Sequence, residues 1–98
     1  MNIQEKLKRQ VDDIYEKLET MTYDSISDFM DDILDFNFTI NSNYEMIGFQ
    51  LAYALGGPNI YITDEYIEAY WGDEKWMRRY YNNFLWDYME ELYNSNRC

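Results

Sequence analysis

The spacing of apolar residues changes along the chain, and this change limits the folds that the sequence can adopt. At the start, apolar residues recur every three or four positions, from Ile3 through Leu7 and Val11, which is the period of an amphipathic helix. From Phe36 to Trp71 the period is two, which is that of a half-buried strand. The 98 residues suffice for one small hydrophobic core. We therefore predict a single α+β domain that spans residues 1–98.

Two helices are predicted before the first strand. The first runs from Asn2 to about Thr22. The second begins near Ser25, which we expect to be its N-cap, and its apolar face carries Ile26, Phe29, Met30, Ile33 and Leu34.

Four antiparallel strands in a meander are predicted next. They cover residues 36–40, 47–55, 59–63 and 66–71, and the turns "NSN", "GGP" and "TDE" separate them. The "GGP" turn ends a strand because paired glycines permit positive φ and proline removes a hydrogen-bond donor. The inward-facing side chains are expected to include Phe36, Phe38, Ile40, Ile60, Ile62, Ile67 and Trp71.

A third helix is predicted after the fourth strand. Gly72 is expected to end the strand, and Asp73 to cap a helix that runs to about Tyr93. The predicted architecture is thus two N-terminal helices, a four-stranded antiparallel sheet and one C-terminal helix.

Charge and hydropathy exclude several classes of function. The chain carries 19 acidic and 8 basic residues, a net charge of −11, and a field of that sign repels nucleic acids and anionic membranes. No apolar run approaches the roughly 18 residues of a membrane span, and the N-terminus lacks the apolar core of a signal peptide. We therefore expect a cytoplasmic protein that binds neither nucleic acid nor membrane directly.

The composition lacks the residues that most enzymes use for catalysis. Histidine is absent, and the single cysteine, Cys98, excludes an internal disulfide or a metal-binding cysteine pair. Glu65 and Glu68 are a conceivable carboxylate pair, but chance explains their proximity in so acidic a chain. We expect a protein that is not an enzyme and has no catalytic, cofactor-binding or metal-binding residues.

The acidic residues are segregated along the chain. No lysine or arginine occurs between Lys17 and Lys75, a segment that holds twelve acids. Five of them are predicted to form one stripe on the second helix, spaced like a row of backbone phosphates: Asp24, Asp28, Asp31, Asp32 and Asp35. The stripe is either a surface for a basic partner or a solvated face kept for solubility.

Three tyrosines form a second candidate surface. Tyr61, Tyr66 and Tyr70 are predicted to lie opposite the isoleucine-rich side of the sheet, near Glu65 and Glu68. Amphipathic aromatic residues are enriched in protein interfaces. The alternative is that helices cover both sides of the sheet.

The segment "LAYALGGPNIYI", followed by "EAYWG" and a helix ending in "EELYN", resembles a group of short acidic proteins from phages and mobile elements of Gram-positive bacteria. The match covers roughly residues 47–94, and the group is of the type II anti-CRISPR kind. The resemblance implies that the protein acts in the cytoplasm of a bacterial host cell. It also implies that its partner is a basic nucleic-acid-binding protein, a type II CRISPR effector nuclease.

Two functional hypotheses follow. The first is a non-enzymatic inhibitor whose acidic surface blocks guide RNA or target DNA binding by that nuclease. The second is a small regulatory interaction module that forms a homodimer through the tyrosine-bearing face of the sheet.

Overall fold

The computed structural model describes residues 2–95, and Cys98 lies outside them. Three helices and five strands follow one another in the order ααβββββα. Their bounds are α1 Ile3–Glu19, α2 Tyr23–Asp31, β1 Asp35–Ile40, β2 Met46–Ala54, β3 Asn59–Thr63, β4 Tyr66–Trp71, β5 Glu74–Arg79 and α3 Phe84–Ser95. The α+β class and the three helices are confirmed.

The strands form one antiparallel meander in the order β1-β2-β3-β4-β5, so β1 and β5 are the two edges. All three helices lie on the same side of the sheet. α1 packs on β4 and β5, while α3 contacts β2 and α2. The inward side chains belong to a single apolar core, whose most buried members are Leu7, Val11, Ile14, Leu18, Leu51, Ile62, Ile67, Leu85 and Met89.

The number of strands differs from the prediction of four. Residues after Gly72 form a fifth strand, β5, where the sequence pattern predicted the start of a helix capped by Asp73. Gly72 has a φ of 58° and stands first in a two-residue turn between β4 and β5. Glycine at that position is typical of a tight hairpin, which returns the chain along β4 and delays the third helix to Phe84.

The second helix begins earlier than predicted, and it ends at Asp31, before Ile33 and Leu34 of its predicted apolar face. Thr22, not Ser25, is its N-cap. The Thr22 hydroxyl accepts a hydrogen bond from the Ser25 N–H, and the Ser25 hydroxyl accepts one from the Thr22 N–H. This reciprocal capping box fixes the first turn.

The first strand is much less buried than its apolar alternation predicted. Phe36 and Ile40 are 43% and 44% exposed, and Phe38 is half-buried against the Tyr93 ring. The prediction that Phe36 and Ile40 belong to the core is wrong, because β1 is an edge strand and α3 reaches it at Phe38, through Tyr93. The same prediction for Trp71 is wrong, because this residue ends β4 beside the turn to β5 and is 38% exposed.

Candidate functional site

The five candidate aspartates occupy α2 and the segment that follows it. Asp24, Asp28 and Asp31 lie on α2, whose buried residues Ile26 and Phe29 hold the opposite face against the core. At about 1.5 Å per residue, the first two stand about 6 Å apart along the axis and the last two about 4.5 Å. These three form the predicted helical stripe.

The other two aspartates lie beyond the helix. Asp32 is the C-cap of α2, and Asp35 is the first residue of β1. The prediction of one five-residue helical stripe is therefore wrong in detail, because the chain leaves the helix after Asp31. All five side chains are exposed, but Asp35 points to the side of the sheet away from α2, where it lines a groove with Asn37, Gln50 and Tyr61. We call the five aspartates together the acidic end.

No cation neutralises the acidic end within the part of the chain that the structure describes. The ion pairs among the described residues are Lys8–Asp12, Arg78–Asp12 and Arg79–Glu65. None of the five aspartates therefore has a lysine or arginine nitrogen within 4.0 Å. Asp31 and Asp32 also stand at the C-terminus of α2, where the helix dipole disfavours negative charge and the last turn has no basic residue. The arrangement costs stability and leaves the charges available to a partner.

Lys17 is the cation nearest this surface. It lines a groove of about 300 Å³ between α1 and α2 together with Asp28, Phe29 and Asp32. Its ammonium group donates a hydrogen bond to the Tyr53 hydroxyl at 3.1 Å. That bond, with the nearby carboxylates of Asp32 and Asp13, raises the pKa of Lys17. Lys17 is thus held by Tyr53 and forms no ion pair with the acidic end.

The remaining basic residues described lie near the opposite edge of the sheet. Arg78 on β5 donates to Asp12 of α1 at 2.8 Å, and its guanidinium lies 3.5 Å from the centre of the Tyr15 ring. The Asp12 carboxylate also accepts from Lys8, and these bonds hold the pKa of Asp12 below its ordinary value. Lys8, Arg78 and Arg79 thus form ion pairs, whereas Lys75 and the five aspartates of the acidic end form none within residues 2–95.

Glu65 and Glu68 do not join the acidic end. Glu65 lies in the turn between β3 and β4, 3.8 Å from the Arg79 guanidinium, and Glu68 lies on β4. Because β4 is three strands from β1, about 14 Å separates these two strands across the sheet. Both glutamates lie away from the aspartates of α2, although Glu68 faces the same side of the sheet as Asp35.

The three candidate tyrosines share the side of the sheet that faces away from the helices. The register pairs Tyr61 with Glu68 and Tyr70 with Lys75, and the rings of Tyr61 and Tyr70 have centroids 6.3 Å apart. The Tyr70 hydroxyl donates to Glu68 at 3.1 Å. Burial, followed by this hydrogen bond, raises the pKa of Tyr70.

Tyr66 completes that surface. Its hydroxyl accepts a hydrogen bond from Arg79 at 3.3 Å, and the Arg79 guanidinium lies 5.4 Å from the centre of its ring. No helix among residues 2–95 covers this side, so the alternative of a sheet covered on both sides is wrong. We call it the open face.

Within the described residues, no group of three or more acidic or cysteine side chains could hold a metal ion. No helix described is long and apolar enough to cross a membrane.

Comparisons with known proteins found no match to this chain. No protein-family model, no curated protein and no solved structure matched it.

One exposed apolar feature next to the acidic end was not predicted from the sequence. Phe36 and Ile40 lie on the edge strand β1, are more than 40% exposed and are accessible to a partner. Their place in the first strand of a meander was the available signal, since the first strand of a meander is always an edge.

Proposed function

We propose that this protein is a non-enzymatic inhibitor whose acidic end binds the basic nucleic-acid channel of another protein. The supporting observation is the set of exposed aspartates that lack counter-ions, Asp24, Asp28, Asp31, Asp32 and Asp35. A row of lysine and arginine side chains that normally binds phosphates would instead contact these carboxylates. The inhibitor would act by occupying the channel.

The physical basis of this proposal is charge complementarity. Basic channels attract anions at a distance and form charge-assisted hydrogen bonds on contact. The acidic end offers carboxylates at a spacing of about one helical turn on a rigid, capped helix. A preorganised row of this kind loses little conformational entropy on binding.

The partner that we propose is a type II CRISPR effector nuclease, which the resemblance of the "GGPNI" and "YWG" segments suggests. Occupation of its channel would prevent guide RNA or target DNA from binding. The inhibitor itself would contact neither nucleic acid, since its net charge of −11 repels phosphates.

The experiment is a competition assay with a purified effector nuclease that carries no guide RNA. We expect the inhibitor to bind the nuclease, reduce guide RNA loading and stop target cleavage, while the guide RNA is recovered intact. Affinity should fall tenfold or more between about 0.1 M and 0.5 M salt, because screening weakens charge complementarity. Absence of binding at low salt, or full cleavage in the presence of bound inhibitor, would contradict the proposed partner.

A second candidate function is a homodimeric interaction module, which the open face favours. Tyr61, Tyr66 and Tyr70 provide a half-exposed aromatic surface of the kind enriched in interfaces. Light scattering would test it. A dimer that Tyr61→Ala and Tyr70→Ala dissociate supports the module, and a monomer at all concentrations contradicts it.

A further inference from the structure

The first strand leaves one of its two edges unpaired. β1 hydrogen-bonds to β2 alone, and five of its six residues are exposed. Such an edge presents backbone N–H and C=O groups that another strand can use. The Phe36 N–H already donates to the Asp35 carboxylate at 2.9 Å, so an added strand would compete with that hydrogen bond.

The edge lacks most of the features that usually prevent strand addition. Natural proteins protect edge strands with lysine, proline, β-bulges or inward-pointing charges. The one irregularity in the pairing of β1 falls at its end, between Thr39 and Ile40, and leaves residues 35–39 regular. The sequence of β1, "DFNFTI", contains no lysine, arginine or proline. The opposite edge, β5, carries Lys75, Arg78 and Arg79 and is protected in the usual way.

The two sides of β1 define what an added strand would meet. Phe36 and Phe38 are paired with Leu51 and Phe49, so they face the same side as the core. Asp35, Asn37 and Thr39 face the other way. An added strand would therefore place alternate side chains against exposed apolar surface and the others beside a carboxylate and polar groups.

Charge decides which strand fits. Asp31, Asp32 and Asp35 stand at the start of β1, and no lysine or arginine nitrogen of the described residues lies within 4.0 Å of them. A second copy of this chain would bring another net charge of −11 and the same aspartates to the contact. Like charges repel, so the edge favours a basic strand over self-pairing.

We propose that the free edge of β1 binds an extended basic segment of the partner protein by strand addition. Main-chain hydrogen bonds to β1 would hold the segment, its apolar residues would cover Phe36 and Ile40, and its lysine or arginine residues would pair with the aspartates. The inference rests on the proposed function and names the part of the basic partner that docks.

A synthetic peptide of alternating lysine and valine, blocked at both ends, is the probe. Two derivatives are N-methylated, one at every lysine amide and the other at every valine amide, so that each loses the hydrogen bonds of one edge. We expect the parent peptide to bind, one derivative to lose about tenfold or more in affinity, and the other to bind like the parent. No binding at millimolar peptide, or equal affinity of all three, would overturn strand addition.

Variants of the protein test the apolar half of the contact. Phe36→Ser and Ile40→Ser should each weaken peptide binding severalfold, because each removes apolar surface that the peptide covers. Met77→Ser is the matched control, since Met77 is a 38% exposed apolar residue on the opposite edge strand. All three variants should keep cooperative thermal unfolding, and equal peptide affinity of the three would overturn the assignment to β1.

The remaining outcomes separate this inference from the proposed function. If neutralising the aspartates abolishes binding to the partner while Phe36→Ser binds as wild type, the acidic end is functional and strand addition is wrong. If sedimentation shows a dimer that Phe36→Ser dissociates, the occupant is a second copy and the basic segment is wrong.

Discussion

At the scale of single residues, Tyr80 shows how one side chain fixes a turn to the core. Tyr80 is 6% exposed, and its hydroxyl donates a hydrogen bond to the main-chain carbonyl of Thr63. Its own N–H donates to the carbonyl of Glu65 at 3.2 Å. The end of β5 is thereby attached to the turn between β3 and β4, which carries Glu65.

Replacement of Tyr80 tests this attachment. Tyr80→Phe should lower the free energy of unfolding by about 1 kcal/mol, because the Thr63 carbonyl loses its partner. Burial raises the pKa of Tyr80, so this hydroxyl stays protonated in the folded protein after unfolded tyrosines ionise near pH 10. Stability should therefore fall above about pH 10, and less steeply in Tyr80→Phe. Urea unfolding measured across that pH range checks both effects, and identical pH slopes would contradict the role of Tyr80.

At the scale of elements, the turn between β4 and β5 decides whether the chain forms a fifth strand. Gly72 adopts a φ of 58°, and a Cβ added there would meet no atom within 4 Å. The cost of a side chain would therefore be backbone strain alone. Asp73, the second residue of the turn, is not among the residues with positive φ.

Substitution of this glycine should act through the backbone. Gly72→Ala is expected to cost about 1–2 kcal/mol, the penalty of a left-handed conformation for a residue with a Cβ. Asp73→Ala is the matched control and should change stability little. Chemical denaturation of both variants measures the difference, and equal stabilities would show that the turn does not require glycine.

The fifth strand illustrates what could be predicted from sequence and what could not. The Gly72-Asp73 pair is a recognisable hairpin signal. It competes with Trp76 and Tyr80, whose four-residue spacing and aromatic character suggest a helix. The packing of α1 on β4 and β5 favours the strand, and such tertiary contacts cannot be read from local spacing.

Substitutions in the second helix test whether its aspartates stabilise the fold. Asp31 and Asp32 oppose the helix dipole, so Asp31→Asn with Asp32→Asn should raise the free energy of unfolding by roughly 0.5–1 kcal/mol. Asp24→Asn is the control, because Asp24 lies in the first turn and its removal should be slightly destabilising. Thermal unfolding at low salt measures both. If loss of Asp31 and Asp32 destabilised the protein, these residues would serve the fold rather than a partner.

At the scale of the whole molecule, charge is distributed unevenly across the sheet. The acidic end adjoins β1, and the basic residues of β5 lie at the other edge, about 19 Å away by strand spacing. The exposure of the five aspartates could be predicted from sequence, since their neighbours Ile26 and Phe29 are apolar. Their separation from Glu65 and Glu68 could not, because it depends on strand order in the folded sheet.

If the acidic end binds the partner, affinity depends on where the acidic residues lie and not on how many there are. One variant neutralises the acidic end by replacing Asp24, Asp28, Asp31, Asp32 and Asp35 with asparagine. A matched variant removes the same number of charges at exposed, unpaired sites elsewhere by amide replacement of Glu5, Asp13, Glu16, Asp87 and Glu90. Both variants have the same net charge.

The most direct test is the affinity of the two variants and the wild-type protein for the effector nuclease without guide RNA. Our account predicts that the acidic-end variant loses about a hundredfold or more in affinity, since several charge-assisted contacts disappear together. The matched variant should lose much less, because only long-range attraction weakens. Equal losses in the two variants would contradict the account and show that net charge alone governs binding.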